Sequence, residues 1–186
     1  MLRSRVRKLY ILGVLSIVVA YLFISLAILM APWFSFRLNA LSDLGNSVRS
    51  RVAFIFNFGL ACSSFILVVY VFTCLVYFMP KTSILMAVTS FTLCLIAVFD
   101  EVYGRIHFIV SVAFFTLSII TLLTYFIELR KTLGLVGGVL SFLIWLLYYM
   151  FKPPIGVSVP ELLSSIIFSI MVVDTVLTVR DYVSTL

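Results

Sequence analysis

From Val52 to Met79 the chain runs without one charged residue, and five other stretches are almost as apolar. A bilayer core about 30 Å thick takes about 20 residues of helix to cross, so such runs are long enough to span it. They lie at about 9–31, 52–79, 82–99, 106–127, 133–151 and 159–179. Together they take up most of the 186 residues. The expectation is an all-α integral membrane protein: one domain over 1–186, six transmembrane helices in a single bundle, no separate soluble unit. Composition agrees, with 64% hydrophobic and 11% charged residues, against about 45–50% and about 25% in soluble domains. The first run is longer than a signal-peptide core and lacks an A-x-A site, so it reads as an uncleaved helix.

A net charge of +6 would suggest nucleic acid in a soluble protein, but its placement points elsewhere. Arg3, Arg5, Arg7 and Lys8 directly precede the first apolar run, where an orientation signal and contact with anionic lipid belong. Membrane lipids, not nucleic acid, are the expected partners. With six crossings the loops alternate between two sides. Lys81, Arg130, Lys131 and Arg180 join the amino-terminal cluster on one side, eight in all; Arg37, Arg49, Arg51, Arg105 and Lys152 fall on the other. Lys and Arg accumulate in cytoplasmic loops, which puts both termini in the cytoplasm and the loop 32–51 outside, in a multi-pass protein of the cell membrane.

Cys62, Cys74 and Cys94 all lie within apolar runs, with no CxxC pair and no histidine at ligand spacing. They read as small buried hydrophobes, and no metal or cofactor is expected. No phosphate-loop, dinucleotide, zinc-protease or nucleophile-elbow pattern occurs.

The polar chemistry gathers on the presumed outer side. FDEVYGRIHF (99–108) holds Asp100, Glu101, Arg105 and His107, the only histidine. One reading is a site in which His107 exchanges protons or binds an anion, oriented by Asp100 or Glu101. The other is a plain turn bent at Gly104, with its carboxylates in water and Arg105 snorkelling. The loop 32–51 contains NALSDLGN. Asn39 and Asp43 are four apart and share a face of any helical turn. Gly45 is placed to end that turn at positive φ, and Asn46 or Ser47 to cap the second helix. This loop is either an interfacial or re-entrant cap over the bundle or a lid whose Asp43 meets Arg105 and His107. Asn57 lies about two turns down the second helix from the same side.

Other polar positions read as structural. Asp174 is expected to pair near Arg180 or to snorkel. Glu128 with Arg130 and Lys131 reads as a solvated loop, and Gly134, Gly138 and Ser141 as a close-packing face.

PWFSFRLNALSDLGN after a first spanning helix, with a six-helix hydropathy profile, resembles the membrane family called domain of unknown function 998. The matching block is Asn-x-x-Ser-Asp-Leu-Gly, here Asn39, Ser42, Asp43, Leu44 and Gly45, and a histidine opening a later helix, here His107, is similar too. The resemblance implies the fold and gives weight to the outer loop, but names no activity.

Three classes of function remain, and whether the chain is an enzyme stays open. The first is binding or processing of a lipid or lipid-linked substrate. There His107, Asp43 and Asp100 would form the reactive group, and Arg105, Asn39, Ser42, Glu101 and Asn57 would hold the substrate. The second is a structural or accessory role, through faces buried against a second copy or a membrane-protein partner. The third is transport of a small solute or ion, which requires a continuous polar path reaching Asn57 and on towards Asp174.

Overall fold

The computed structural model describes residues 9–185; the arginines and lysine before Leu9 lie outside them. Six helices are long and apolar enough to cross a membrane: α1 (Leu12–Leu29), α2 (Ala53–Thr73), α3 (Pro80–Val98), α4 (Arg105–Leu129), α5 (Thr132–Phe151) and α6 (Ser158–Thr185). There is no strand among the described residues. In lipid every backbone polar group needs an internal partner, and runs of this length meet that requirement only as helices. The chain is a multi-pass membrane protein. Each helix packs on the next in sequence, and α6 closes the bundle by also touching α1 and α4. Large apolar side chains such as Phe54, Phe65 and Phe151 face outward, where lipid solvates them.

Helix ends differ from the sequence expectation for local reasons. The second run is α-helical only to Thr73, then tightens through a 3₁₀ turn at Leu75–Tyr77. Pro80 demands an extended residue before it, and Met79 takes φ −145°, ψ 75°. Pro80 itself opens α3 at the first helical position, where its missing N–H costs nothing. Helix α6 runs past Val179 to Thr185, since nothing in RDYVST breaks a helix. Arg130 and Lys152 end α4 and α5 in the left-handed conformation, at φ 56° and 43°.

Glu128 is no solvated loop residue. Its carboxylate accepts from the backbone N–H of Lys81 (3.0 Å), the backbone N–H of Thr82 (2.8 Å) and the Thr82 hydroxyl (2.7 Å). It thereby caps α3 from the end of α4, where bare N–H groups and the helix dipole both favour an anion. Asp174 is paired with Lys131 (3.7 Å) and with the Tyr125 hydroxyl (2.5 Å); Arg180 pairs with Asp181 instead.

Two apolar clusters fill the bundle. One, around Tyr70, Met86, Leu122, Tyr125, Met171 and Val179, lies toward the termini. The other, around Ile24, Ala27, Leu41, Leu44, Phe56, Leu60 and Phe114, lies toward the opposite, distal end. Hydroxyls sit between helices in the same interior: Ser64 and Ser90 exchange bonds to each other's carbonyls (2.6 and 2.9 Å), and Thr89 meets Thr121 at 3.0 Å.

At the terminal end α4 and α5 touch backbone to backbone. A Cβ on Gly134 would lie 2.4 Å from the Leu122 carbonyl oxygen, and one on Gly138 would lie 2.8 Å from Leu123. We expect Gly134→Val to lower stability by about 1–3 kcal/mol through overpacking. Glu128→Ala, which strands the α3 donors, should cost about 1–3 kcal/mol. Both appear as lower unfolding midpoints in detergent; an unchanged midpoint for Glu128→Ala contradicts the capping assignment.

Candidate functional site

Three distal loops build the site, and the first is held by its own polar side chains. Asn39 donates Nδ2–H to Asp43 Oδ2 (2.9 Å) and accepts the Ser35 N–H (3.0 Å), while the same Asp43 oxygen takes the Ala40 N–H (3.0 Å). A 3₁₀ turn, Leu41–Gly45, follows and buries Leu41 and Leu44. Gly45 ends it without positive φ, contrary to expectation; among the described glycines only Gly104 has one, at 51°. Gly45 is required by close approach instead, since a Cβ there would lie 2.5 Å from Asn57 Oδ1 and 2.9 Å from Phe56. Asn57 Nδ2 donates to the Gly45 carbonyl (2.8 Å). Asn46 does not cap α2: its Oδ1 accepts from Val48 (3.2 Å) and Arg49 (2.9 Å), closing a separate turn.

The loop before α6 is fastened to this first loop by main-chain bonds. Gly156 N–H donates to the Phe36 carbonyl (2.9 Å) and Ser158 N–H to the Asn39 carbonyl (3.1 Å). Leu41 N–H then donates to Glu161 Oε2 at 2.6 Å. Glu161, one turn into α6, is thus 9% exposed and held inside the bundle's mouth.

The third loop supplies Glu101 and His107. Glu101 Oε2 accepts from Asn46 Nδ2 (3.0 Å), joining the first and third loops. His107, 7% exposed, points Nδ1 at the Phe99 carbonyl oxygen (2.8 Å). A carbonyl only accepts, so Nδ1 carries a proton. In the neutral ring Nε2 then accepts from the Ser111 hydroxyl, 3.3 Å away. A backbone carbonyl therefore orients the histidine, not Asp100 or Glu101. Asp100 turns back to cap its own 3₁₀ turn through the Val102 N–H (2.9 Å).

These groups open on a cleft of about 820 Å³. Its distal end is polar, with Ser42, Asn46, Arg49, Glu101, His107, Ser111 and Glu161. Its apolar walls run inward from there between α4 (Phe108, Val112, Phe115, Ile119) and α5 (Tyr149, Trp145, Phe142). The α5 lining begins just past Ser141, where the glycine-mediated contact with α4 ends. Phe115 and Trp145 meet at 4.7 Å between ring centres across it. Trp145 Nε1 is buried without an acceptor among the described residues.

Of the residues singled out from sequence, His107, Glu101 and Ser42 line the cleft; Asp43, Asp100, Arg105, Asn39 and Asn57 do not. Asp43 does not hydrogen-bond His107: it braces the first loop and sits beside Glu101. Arg105 is exposed and forms no ion pair with any described residue. The residues missed are Glu161, Arg49, Ser111, Trp145 and Tyr149. Ser111 was legible as the i+4 neighbour of His107. Glu161 falls on the same outer side by sequence, but that its carboxylate reaches Leu41 is a tertiary contact that spacing does not record.

No group of three or more His, Cys, Asp or Glu among the described residues is arranged to hold a metal ion. The carboxylates around the cleft mouth offer acceptors, not the donors that an oxyanion needs. Burial, and then Asp43 beside it, push the Glu101 carboxyl above its ordinary 4.5, outweighing Asn46 and Arg49, which act the other way. With a raised folded-state value, Glu101 holds its proton more tightly folded than unfolded. Its contribution to stability is present below about pH 4.5 and is lost as pH rises through the raised value. Glu101→Gln, which keeps an acceptor for Asn46, is therefore expected to gain on the wild type as pH rises from 4 to 8. Parallel melting midpoints across that range would refute the assignment.

No curated protein and no solved structure matches the chain. A family model described as "Protein of unknown function (DUF998)" matches residues 14–178. That span takes in all the distal loops and nearly all of the six helices, and the chain belongs to this family of membrane proteins.

Proposed function

We propose that the protein binds one amphiphilic lipid or lipid-linked molecule in the α4–α5 cleft, head toward His107 and chain along the aromatic trough. The observation that carries this reading is the cleft's polarity gradient, from Glu101, His107 and Glu161 at one end to Phe115, Ile119 and Phe142 at the other. Its volume of about 820 Å³ falls within the about 300–1,000 Å³ usual for ligand clefts.

Hydrogen bonding selects the head. Glu101 and Glu161 line the mouth with Asp43 behind them, against one guanidinium, Arg49. A phosphate needs donors and finds few there, whereas hydroxyls or an amine find acceptors. Arg105, expected from sequence to hold the substrate, lies outside the lining of this cleft. His107 Nε2 is the group placed to exchange a proton with the head. On the Lys/Arg distribution the cleft opens to the extracytoplasmic side. A purely accessory role is less well supported, because it needs no cavity.

Native mass spectrometry on the full chain in mild detergent tests this. Lipids with sugar heads and no phosphate should bind at least tenfold more tightly than phosphatidic acid or phosphatidylglycerol of the same chain length. Thr116→Trp, which projects into the trough, should abolish the difference. Equal binding of all heads, or undiminished binding by Thr116→Trp, means that the reading is wrong.

A further inference from the structure

The head end of the cleft holds two carboxylates that no cation of the described chain neutralises. The ion pairs among the described residues are Lys131 with Asp174 and Arg180 with Asp181, both at the terminal end. Glu101 and Glu161 line the cleft without such a partner, and Asp43 and Glu101 lie within electrostatic reach of Glu161. Arg49, the one guanidinium on the lining, is exposed and pairs with neither.

Glu161 is only 9% exposed, and its Oε2 takes the Leu41 N–H. Its other oxygen, Oε1, has no hydrogen-bond partner among the described residues. A buried acceptor left open is costly, the more so when it is charged. Glu161 stands where the cleft meets an inner cavity of about 110 Å³, and Ser42, Ser111 and Phe115 share that boundary. The inner cavity is mostly apolar, walled by residues such as Ile24, Leu60, Phe114 and Phe168. The cleft is therefore the side from which a donor reaches Oε1.

We propose that, within the lipid reading of the cleft on which this rests, the head end is an ammonium site for a single-chain lipophilic amine that carries no phosphate. An ammonium has three N–H donors and no acceptor. Glu161 Oε1, the Glu101 carboxylate and the Ser42 hydroxyl are acceptors on one lining. Trp145 and Tyr149, stacked with ring centres 5.9 Å apart, continue that wall, and aromatic faces attract a cation. The acidic groups among the described residues are not gathered to hold a metal ion, whereas an amine needs only one or two of them at once.

The amine takes the place of a proton, which sets a pH dependence. Glu101 faces Asp43 and Arg49 from the first loop, Glu161 from α6 and His107 from α4. Its carboxyl holds a proton above the ordinary 4.5, and a cation beside it favours the carboxylate. Binding of the amine releases that proton, so by linkage binding tightens as pH rises through the raised value. His107, once protonated, repels the amine and acts in the same direction. An alkyl amine itself stays charged to about pH 10.

The test is native mass spectrometry of the full chain in an uncharged detergent, titrated with hexadecylamine and with hexadecanol. At neutral pH the wild type should bind the amine at least tenfold more tightly than the alcohol, and this ratio should shrink towards about pH 5, near the ordinary carboxyl range. Glu161→Gln, which keeps an oxygen for the Leu41 N–H, should bring the ratio close to one, its melting midpoint showing that it folds. Glu101→Gln, in a different loop, should lower the ratio and flatten its pH dependence. Thr116→Trp should weaken both ligands. Equal binding of amine and alcohol by the wild type overturns the ammonium site and leaves the lipid reading standing. A folded Glu161→Gln chain that still prefers the amine tenfold overturns it as well. If neither ligand binds, both readings fall together.

Discussion

Leu41 donates its backbone N–H to Glu161 across 2.6 Å, and the arrangement of the distal end depends on it. A loop that folds back over an apolar bundle carries amide groups that water does not reach, and each needs an acceptor. Here a carboxylate from the last helix serves the first loop, while Asp43 serves Ala40 and the carbonyls of Phe36 and Asn39 take Gly156 and Ser158. Residues more than 100 positions apart are thereby fixed in register. Glu161 is in turn kept inside the bundle, where it walls both the cleft and the inner cavity.

The same logic explains why polar residues that look alike in sequence end with different work. Asp43 and Asp100 both turn to nearby backbone N–H groups and brace their own loops. Glu101 and Glu161 have longer side chains and no local donor that holds them, so they reach across to other elements. His107 is held by a carbonyl rather than a carboxylate, which sets one ring nitrogen and leaves the other toward Ser111 and the cleft. FDEVYGRIHF is therefore both a hinge and a wall: Asp100 and Gly104 make the turn, and Glu101 and His107 line the cavity.

The division between α4 and α5 has a similar cause. Gly134 and Gly138 let the two backbones touch at one end, while Trp145, Tyr149, Phe108 and Phe115 are too bulky for such an approach at the other. The helices that pack tightly over glycine thus leave a cleft beyond it. Small residues at one end and rings at the other are visible in sequence. That the resulting space opens onto the histidine is not.

The sequence by itself determined the six spanning helices, because uncharged runs of that length have one stable state in lipid, and the backbone satisfies itself within each run. It also put Asn39 and Asp43 on one face, whose brace lies within one helical turn; the His107–Ser111 contact has the same spacing but was not read from it. Only the tertiary structure decided which carboxylates face the cleft, that Glu128 caps α3, and that Glu161 takes the Leu41 N–H. Those partners come from separate helices, and helix periodicity records which face a residue occupies but not which neighbour that face meets.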